Sequence, residues 1–241
     1  MTVTVQKLTA KIVKKNILTQ DLFIVWIRPE SKFLFEPGQY CTLGLNGTER
    51  DYSIASAPFE KDLELFLEMV PSHLRTEKSF TPKINELEMG AHVALQREAK
   101  GRFLLDENCE THVMISTVTG VAPFISMLRA YIHGDYKKKY KIYVFQGASY
   151  QDEFGYDEEL MKMAKTGKIT YVPTVSRPKE ARNNGWKGAT GRVNEIVQAQ
   201  FQKHGIVPEN TAIYLCGHRG MIDDLGKLDR RGFSIRREVY F

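Results

Sequence analysis

Cysteine is scarce in this chain: three in 241 residues, at Cys41, Cys109 and Cys216. An odd number at such wide spacing makes neither a disulfide framework, nor a zinc site, nor a four-cysteine iron–sulfur cluster. No metal is therefore expected, and a reducing cytoplasm is the expected compartment. No apolar run reaches about 18 residues, which excludes a helical membrane span. The opening stretch MTVTVQKLTAKIVKK alternates and carries charge, so no apolar h-region of a secretory signal is read there. Zinc fingers, an RNA-binding aromatic signature and an arginine-rich arm are all missing, so no nucleic-acid partner is expected. The G-x-G-x-x-G turn of ordinary dinucleotide-binding domains is missing too. No internal repeat or low-complexity segment is visible.

What is present is ordinary globular chemistry: 42% hydrophobic and 26% charged residues, in a length that fits one large domain or two small ones. The net charge of +5 either dresses a solvated surface or attracts an acidic partner, a nucleotide or an acidic protein. The densest basic run, YKKKYK at Tyr136–Lys141, reads as a helix–strand turn.

The first hundred or so residues read as β. Short β-rich runs occur at Val3–Val5, Leu22–Ile27, Tyr40–Leu45 and Leu63–Val70, separated by Pro29, Glu36–Gln39, Asn46–Gly47 and Pro58. This spacing suggests a sandwich or barrel. In LELFLEMV, Leu63, Leu65, Leu67 and Met69 share one face; Glu64, Phe66, Glu68 and Val70 share the other, which should be wet. The second half changes period. Strands at His112–Thr117, Lys141–Gln146, Ile169–Val175 and Ala212–Gly217 alternate with helices at Ala122–Ile132, near Asp157–Lys165, at Val193–His204 and near Met221–Arg230, before a last strand to Phe241. Strand–helix alternation implies a parallel sheet with right-handed crossovers. The expected fold is two-domain α+β: an antiparallel β-barrel over residues 1–105, then a Rossmann-like α/β nucleotide-binding domain over residues 106–241.

Ligands of an open parallel sheet bind beyond the carboxyl ends of its strands. Those ends carry VTGVAP leading into a helix, then SRP, TGR and CGHRGM. A helix N-terminus with small residues before it suits a pyrophosphate; serine and arginine at strand tips suit phosphate. Several such tips in one sheet point to a dinucleotide. In the first half, RDYSIASAP at Arg50–Pro58 is too polar for a core strand. A tyrosine can stack on an aromatic ring, an arginine two positions away on the same side can clamp a phosphate, and a serine can bond a ring nitrogen. Arg50, Tyr52 and Ser53 therefore describe a flavin site.

RDYSIAS resembles the R-x-Y-S flavin motif of the ferredoxin–NADP⁺ reductase family, and further blocks follow the family's order: PGQY before it, then FTPKINELEMGAHV, VTGVAPFISML, VSR…GR, YLCG and the final EVYF. The form EAKGRFLLDE and the aromatic after the last tyrosine are most similar to the bacterial reductases that serve ferredoxin or flavodoxin. The resemblance implies an FAD site of Arg50, Asp51, Tyr52, Ser53, Phe66, Val70, Ser79, Phe80, Thr81, Thr119, Tyr240 and Phe241. It implies an NADP(H) site of Ala148, Ser149, Ser176, Arg177, Arg192, His218, Arg219, Gly220 and Asp224. Ser53, Cys216, Glu238 and Tyr240 would act at the reacting rings, with Tyr240 both covering the flavin and moving aside for nicotinamide. Without that context Cys216 would be core filler, Glu238 a solvated charge, Arg177 a surface arginine, and Tyr240 and Phe241 a frayed tail.

The resemblance also implies the activity: electrons pass between NADPH and a one-electron carrier, an acidic ferredoxin or flavodoxin, by hydride transfer at flavin N5, in a monomer. Rival readings on the same fold are the reductase of an oxygenase, a free-flavin reductase, a cytochrome reductase, or a flavin-binding subunit that docks on a larger partner. Three departures from the family pattern stand out. Val118 replaces a glycine in TVTG. Ser149 stands where bacterial relatives often carry an arginine. VPSHLRTEKSF is longer than the usual turn, so His73–Ser79 reads as an inserted loop near the flavin.

Overall fold

The computed structural model describes residues 7–77 and 79–240. The expected strand at Val3–Val5 and the residue Phe241 lie outside the described residues. The chain divides into two compact units, residues 1–104 with 122–130, and residues 105–121 with 131–241.

The first unit contains β1 (Leu8–Ile17), β2 (Leu22–Pro29), β3 (Tyr40–Leu45), β4 (Thr48–Ser53), β5 (Leu63–Glu68), α1 (Phe80–Glu86) and β6 (His92–Leu95). The strands form one antiparallel sheet in the order β4-β3-β6-β1-β2-β5. β1 buries alternate residues, Leu8, Ala10 and Ile12, as a strand with one dry face must. Asn46 and Gly47 both take positive φ, 49° and 78°, which makes the two-residue β3–β4 hairpin turn. The edge strands nearly meet: just past β4, Ala55 N donates to Glu64 O of β5 at 2.8 Å. The result is a nearly closed barrel filled by Ile12, Phe23, Val25, Leu43, Leu65 and Leu95.

The β5 face expected to be wet is not. Glu64 and Phe66 are buried, and only Glu68 of that face is exposed within the strand. A segment from later in the chain, Ala122–Ala130, groups with this unit. Its Arg129 reaches Glu64, and its Ser126 Oγ donates to Ser56 O at 2.7 Å. A strand pattern alone shows which residues share a face, but not what a distant helix lays upon it. β5 also ends at Glu68 rather than Val70.

The second unit holds β7 (Thr111–Thr117), β8 (Lys141–Ala148), α3 (Asp157–Lys165), β9 (Thr170–Val175), β10 (Ala189–Thr190), α4 (Val193–His204), β11 (Thr211–His218), α5 (Arg219–Leu225) and β12 (Ser234–Tyr240). Helix α2 (Ala122–His133) follows β7 after a 3₁₀ turn at Val118–Val121. All pairings are parallel, in the order β10-β9-β8-β7-β11-β12. The expected last helix is shorter than its sequence pattern: α5 stops at Leu225, and Gly226–Arg231 continues as 3₁₀. The chain winds outward from β7 through β8 and β9, then returns to place β11 on the other side of β7. That reversal is a topological switch point, where doubly wound sheets open a crevice at the strands' carboxyl ends. Among the described residues, no helix is long and apolar enough to cross a membrane.

Candidate functional site

In the first unit the expected site residues Arg50, Asp51, Tyr52 and Ser53 lie at the end of β4. Alternation puts Arg50 and Tyr52 on one side and Asp51 on the other, where it accepts from Thr42 Oγ1 at 2.5 Å. Arg50 is exposed, and its Nη1 donates to Glu49 O at 2.7 Å. The Tyr52 hydroxyl lies 3.1 Å from Thr81 Oγ1, and its ring leans on Phe80, with centroids 5.9 Å apart and planes at 37°. Burial pushes the Tyr52 phenol up to about 12, so it stays neutral. Phe80 and Thr81 open α1, whose N-cap, Ser79, gives it no side-chain hydrogen bond. Lys15 Nζ donates to Asn85 O and Leu87 O at 2.7 and 2.6 Å at the other end of α1, where a cation suits the helix dipole. Ser53 is buried. Phe66 is buried as well, and Val70 is half-buried, with its carbonyl held by Arg75 Nε at 2.8 Å. The expected insertion contains a short 3₁₀ turn at Ser72–Leu74, and Thr76 N bonds Ser79 Oγ at 2.8 Å; its Lys78 lies outside the described residues.

In the second unit the switch point is built from β7 and β11. Gly120 sits so close to β11 that a Cβ would fall 2.3 Å from Cys216 O. Gly217, at φ +123°, lies against Thr117; Thr117 Oγ1 accepts from His218 N at 2.8 Å, and His218 Nδ1 accepts from Gly220 N at 3.1 Å. Val118 takes φ +42°, a conformation suited to glycine, and turns its side chain onto Ala148, Phe154 and Val175. The TVTG departure therefore keeps the glycine-type turn and loads it with a β-branched residue. Thr119 is buried within it.

Parallel pairing of β11 with β12 sets Cys216 beside Glu238 and His218 beside Tyr240. Tyr240 hydrogen-bonds Cys216 through its side chain, and its hydroxyl donates to Glu238 Oε1 at 3.3 Å. Burial, and then the Glu238 carboxylate, push the Cys216 thiol well above its ordinary value. Cys216 is therefore a neutral thiol and not a thiolate nucleophile.

On the other side of β7, Ser176 N donates to Ala148 O at 2.9 Å, which joins the β8 and β9 tips. Gly191 N donates to Val175 O at 3.0 Å, bringing Arg192, the N-cap of α4, to the β9 tip that also carries Arg177. Arg219 and Gly220 open α5 on the exposed side. Asp224 lies near the end of that helix and is engaged by Asn194 and Lys227, whose hydrogen bonds hold its carboxyl below the usual range. The sequence reading missed Tyr150, Glu180, Arg182 and Asn183, which assemble on Ser149. Nothing local marks them, because they meet only when the loop after β9 folds back on the tip of β8.

The profile of the oxidoreductase NAD-binding domain family matches residues 114–227. The flavodoxin/ferredoxin–NADP reductase of Shigella flexneri is 28% identical over 228 residues, covering 90% of this chain and 87% of the relative. The Escherichia coli (strain K12) protein of the same name has the same identity and coverage. Among solved structures, a ferredoxin NADP⁺ reductase from Neisseria gonorrhoeae with bound FAD and NADP superposes with a TM-score of 0.80 at 23% identity, covering 97% of this chain and 98% of that one. The sequence match runs through both halves of the chain, which is similar to flavodoxin/ferredoxin–NADP reductases in sequence and has the fold of the ferredoxin NADP⁺ reductase structure.

Proposed function

We propose that the protein is an FAD-dependent oxidoreductase that moves electrons between NADPH and a one-electron carrier, ferredoxin or flavodoxin. The observation that carries this reading is the meeting of Cys216, Glu238 and Tyr240 at the paired ends of β11 and β12, against which the Gly120 turn packs.

The residues present fit both cofactors. Beyond its bond to Glu49 O, the Arg50 guanidinium keeps donors with no partner among the described residues, as a phosphate clamp needs. Tyr52 offers a partly buried ring and Ser53 a hydroxyl, and the uncapped start of α1 offers backbone N–H groups. The glycines at 120 and 217 let backbone pack closely at the switch point, where a nucleotide would enter. When bound, FAD supplies the conversion between hydride exchange with nicotinamide and single-electron exchange with the carrier. The chain supplies position and field. Arg50 and the start of α1 bind flavin phosphates, and Tyr52 and Ser53 orient the isoalloxazine. The neutral Cys216 thiol and the Glu238 carboxylate border the nicotinamide, and Tyr240 excludes water until that ring arrives. Ser176, Arg177 and Arg192 bind the phosphorylated adenosine end. The net charge of +5 supports an acidic carrier, drawn in by long-range attraction that weakens with salt. A cytoplasmic monomer completes the reading.

The test is anaerobic spectroscopy of the purified protein with NADPH and NADH in separate cuvettes. A yellow protein bleached far faster by NADPH is expected. A protein that stays colourless after incubation with FAD would overturn the reading. A yellow protein indifferent to NADPH would leave a docking subunit in its place.

A further inference from the structure

The tip of β8 carries Ser149 where the family resemblance leads one to expect an arginine, yet a guanidinium reaches this tip from the loop after β9. Asn183, buried in that loop, donates through Nδ2 to Ser149 O and Arg177 O, both at 2.9 Å, and accepts from Gln151 N at 2.8 Å. It seats the loop on the strand tip, and its neighbour Arg182 is laid over the Tyr150 ring, Cζ 3.9 Å from the centroid. Arg177 approaches the same ring, with Cζ at 5.4 Å, and Nη1 donates to the Tyr150 hydroxyl at 2.8 Å.

Neither guanidinium is fully used. Arg182 gives its Nε and Nη2 edge to Asp152, at 3.2 and 2.6 Å, and Nη2 lies 3.8 Å from Glu153. Its Nη1 has no partner among the described residues, and neither do Nε and Nη2 of Arg177. Besides Asp152 and Glu153, a third carboxylate stands here, the one that faces Arg177. Glu180 accepts a short hydrogen bond from the Tyr150 hydroxyl, and its other oxygen lies 3.6 Å from Arg177 Nη1. The side chains of Arg177 and Glu180 are 53% and 52% exposed, so the pair is weak and easily exchanged.

We propose that Arg177 and Arg182, mounted on Tyr150, together read the 2′-phosphate of NADP(H), and that Glu180 is the resident carboxylate which that phosphate displaces. This rests on the reading above, in which the β8 and β9 tips take the adenosine end. A phosphate dianion has three acceptor oxygens and engages donors that Glu180 leaves unused. A nucleotide without that phosphate has nothing to exchange for Glu180. Glu180 therefore taxes the phosphorylated nucleotide alone, and Arg182, its Nε and Nη2 edge held by Asp152, offers its unused Nη1 donor beside Ser149.

Calorimetric titration with 2′,5′-ADP and 5′-AMP tests this, with the melting temperature of each variant checked. Glu180→Gln is expected to bind 2′,5′-ADP about threefold more tightly, with 5′-AMP unchanged. Arg182→Met is expected to bind 2′,5′-ADP about tenfold more weakly, again with 5′-AMP unchanged. If both variants bind 2′,5′-ADP like the wild type while Arg177→Met weakens it, the proposal is overturned and the functional reading stands. If the wild-type protein binds both probes equally, the phosphate reading itself falls, and this inference with it. Glu180→Gln alters only an exposed side chain, so a folding failure in Arg182→Met does not remove the test.

Discussion

Arg129 Nη1 stands 2.6 Å from Glu64 Oε2, and Glu64 is only 3% exposed. A buried carboxylate paired with a close guanidinium is costly to strand. Arg129→Met is therefore expected to lower unfolding stability by about 3 kcal/mol, the low end for a buried pair because Arg129 keeps some solvent contact. Adding Glu64→Gln should recover most of that loss. Urea denaturation of the single and double variants measures it; additive losses would mean that the two groups do not stabilise each other.

A second prediction concerns acid. His112 is fully buried on β7, with Nδ1 3.1 Å from the Tyr214 hydroxyl and its ring edge-on to Tyr140, centroids 4.6 Å apart. Asp106 N donates to that same hydroxyl, and His112 Nε2 has no hydrogen-bond partner among the described residues. Burial lowers the His112 pKa to about 4. A folded-state value below the unfolded one makes the unfolded chain bind the extra proton between those values, so stability is full above pH 6.5 and falls as pH drops toward 4. The loss between pH 6.5 and 5 should be about 1.5 kcal/mol. His112→Gln should flatten that part of the profile in urea titrations at a series of pH values. An unchanged slope would assign the acid sensitivity to other groups.

These two sites mark the limit of what was legible in the sequence. The parallel strands of the second unit were readable because Val113–Ile115, Val144–Phe145 and Ile213–Leu215 are continuous apolar runs, buried on both faces. β1 escaped because it buries only alternate residues and ends in Lys14, Lys15 and Asn16; β6 escaped because it has four residues. The proposed Arg50–Ser53 site could be put forward from sequence because its chemistry is contiguous in the chain. The Tyr150, Glu180 and Arg182 cluster was not, since it exists only after Asn183 folds one loop onto another strand's tip. The burial of Glu64 was hidden for the same reason: Arg129 arrives from far along the chain.

Two neighbours in one turn should answer substitution oppositely. Gly120→Ala would put a Cβ 2.3 Å from Cys216 O and 2.8 Å from Gly217 Cα, and backbone must shift to admit it. A loss of about 3 kcal/mol is expected. Val118→Gly relieves a β-branched residue at φ +42° but gives up its packing on Ala148, Phe154 and Val175 and adds chain entropy. Strain relief of roughly 1–3 kcal/mol against those losses leaves stability within about 1 kcal/mol of the wild type. Thermal unfolding of both variants checks the contrast. A loss in Val118→Gly as large as that in Gly120→Ala would mean that the turn is held by the valine side chain and carries no backbone strain.

The last prediction concerns Tyr240. Its ring is half-buried, and its hydroxyl bonds Glu238 while the side chain bonds Cys216, so it is held by the same two residues that border the proposed nicotinamide position. If nicotinamide must take its place, the affinity measured in the wild type is reduced by the fraction of time Tyr240 stays put. Tyr240→Ser keeps a hydroxyl on the strand and removes the ring. It is expected to bind NADP⁺ roughly tenfold more tightly, with an altered flavin spectrum, because an occupant present nine-tenths of the time costs about that factor. Difference-spectrum titration of wild type and variant measures both effects. Equal affinities would show that Tyr240 does not compete with the nucleotide, and its bonds to Glu238 and Cys216 would then serve only to fix the end of β12.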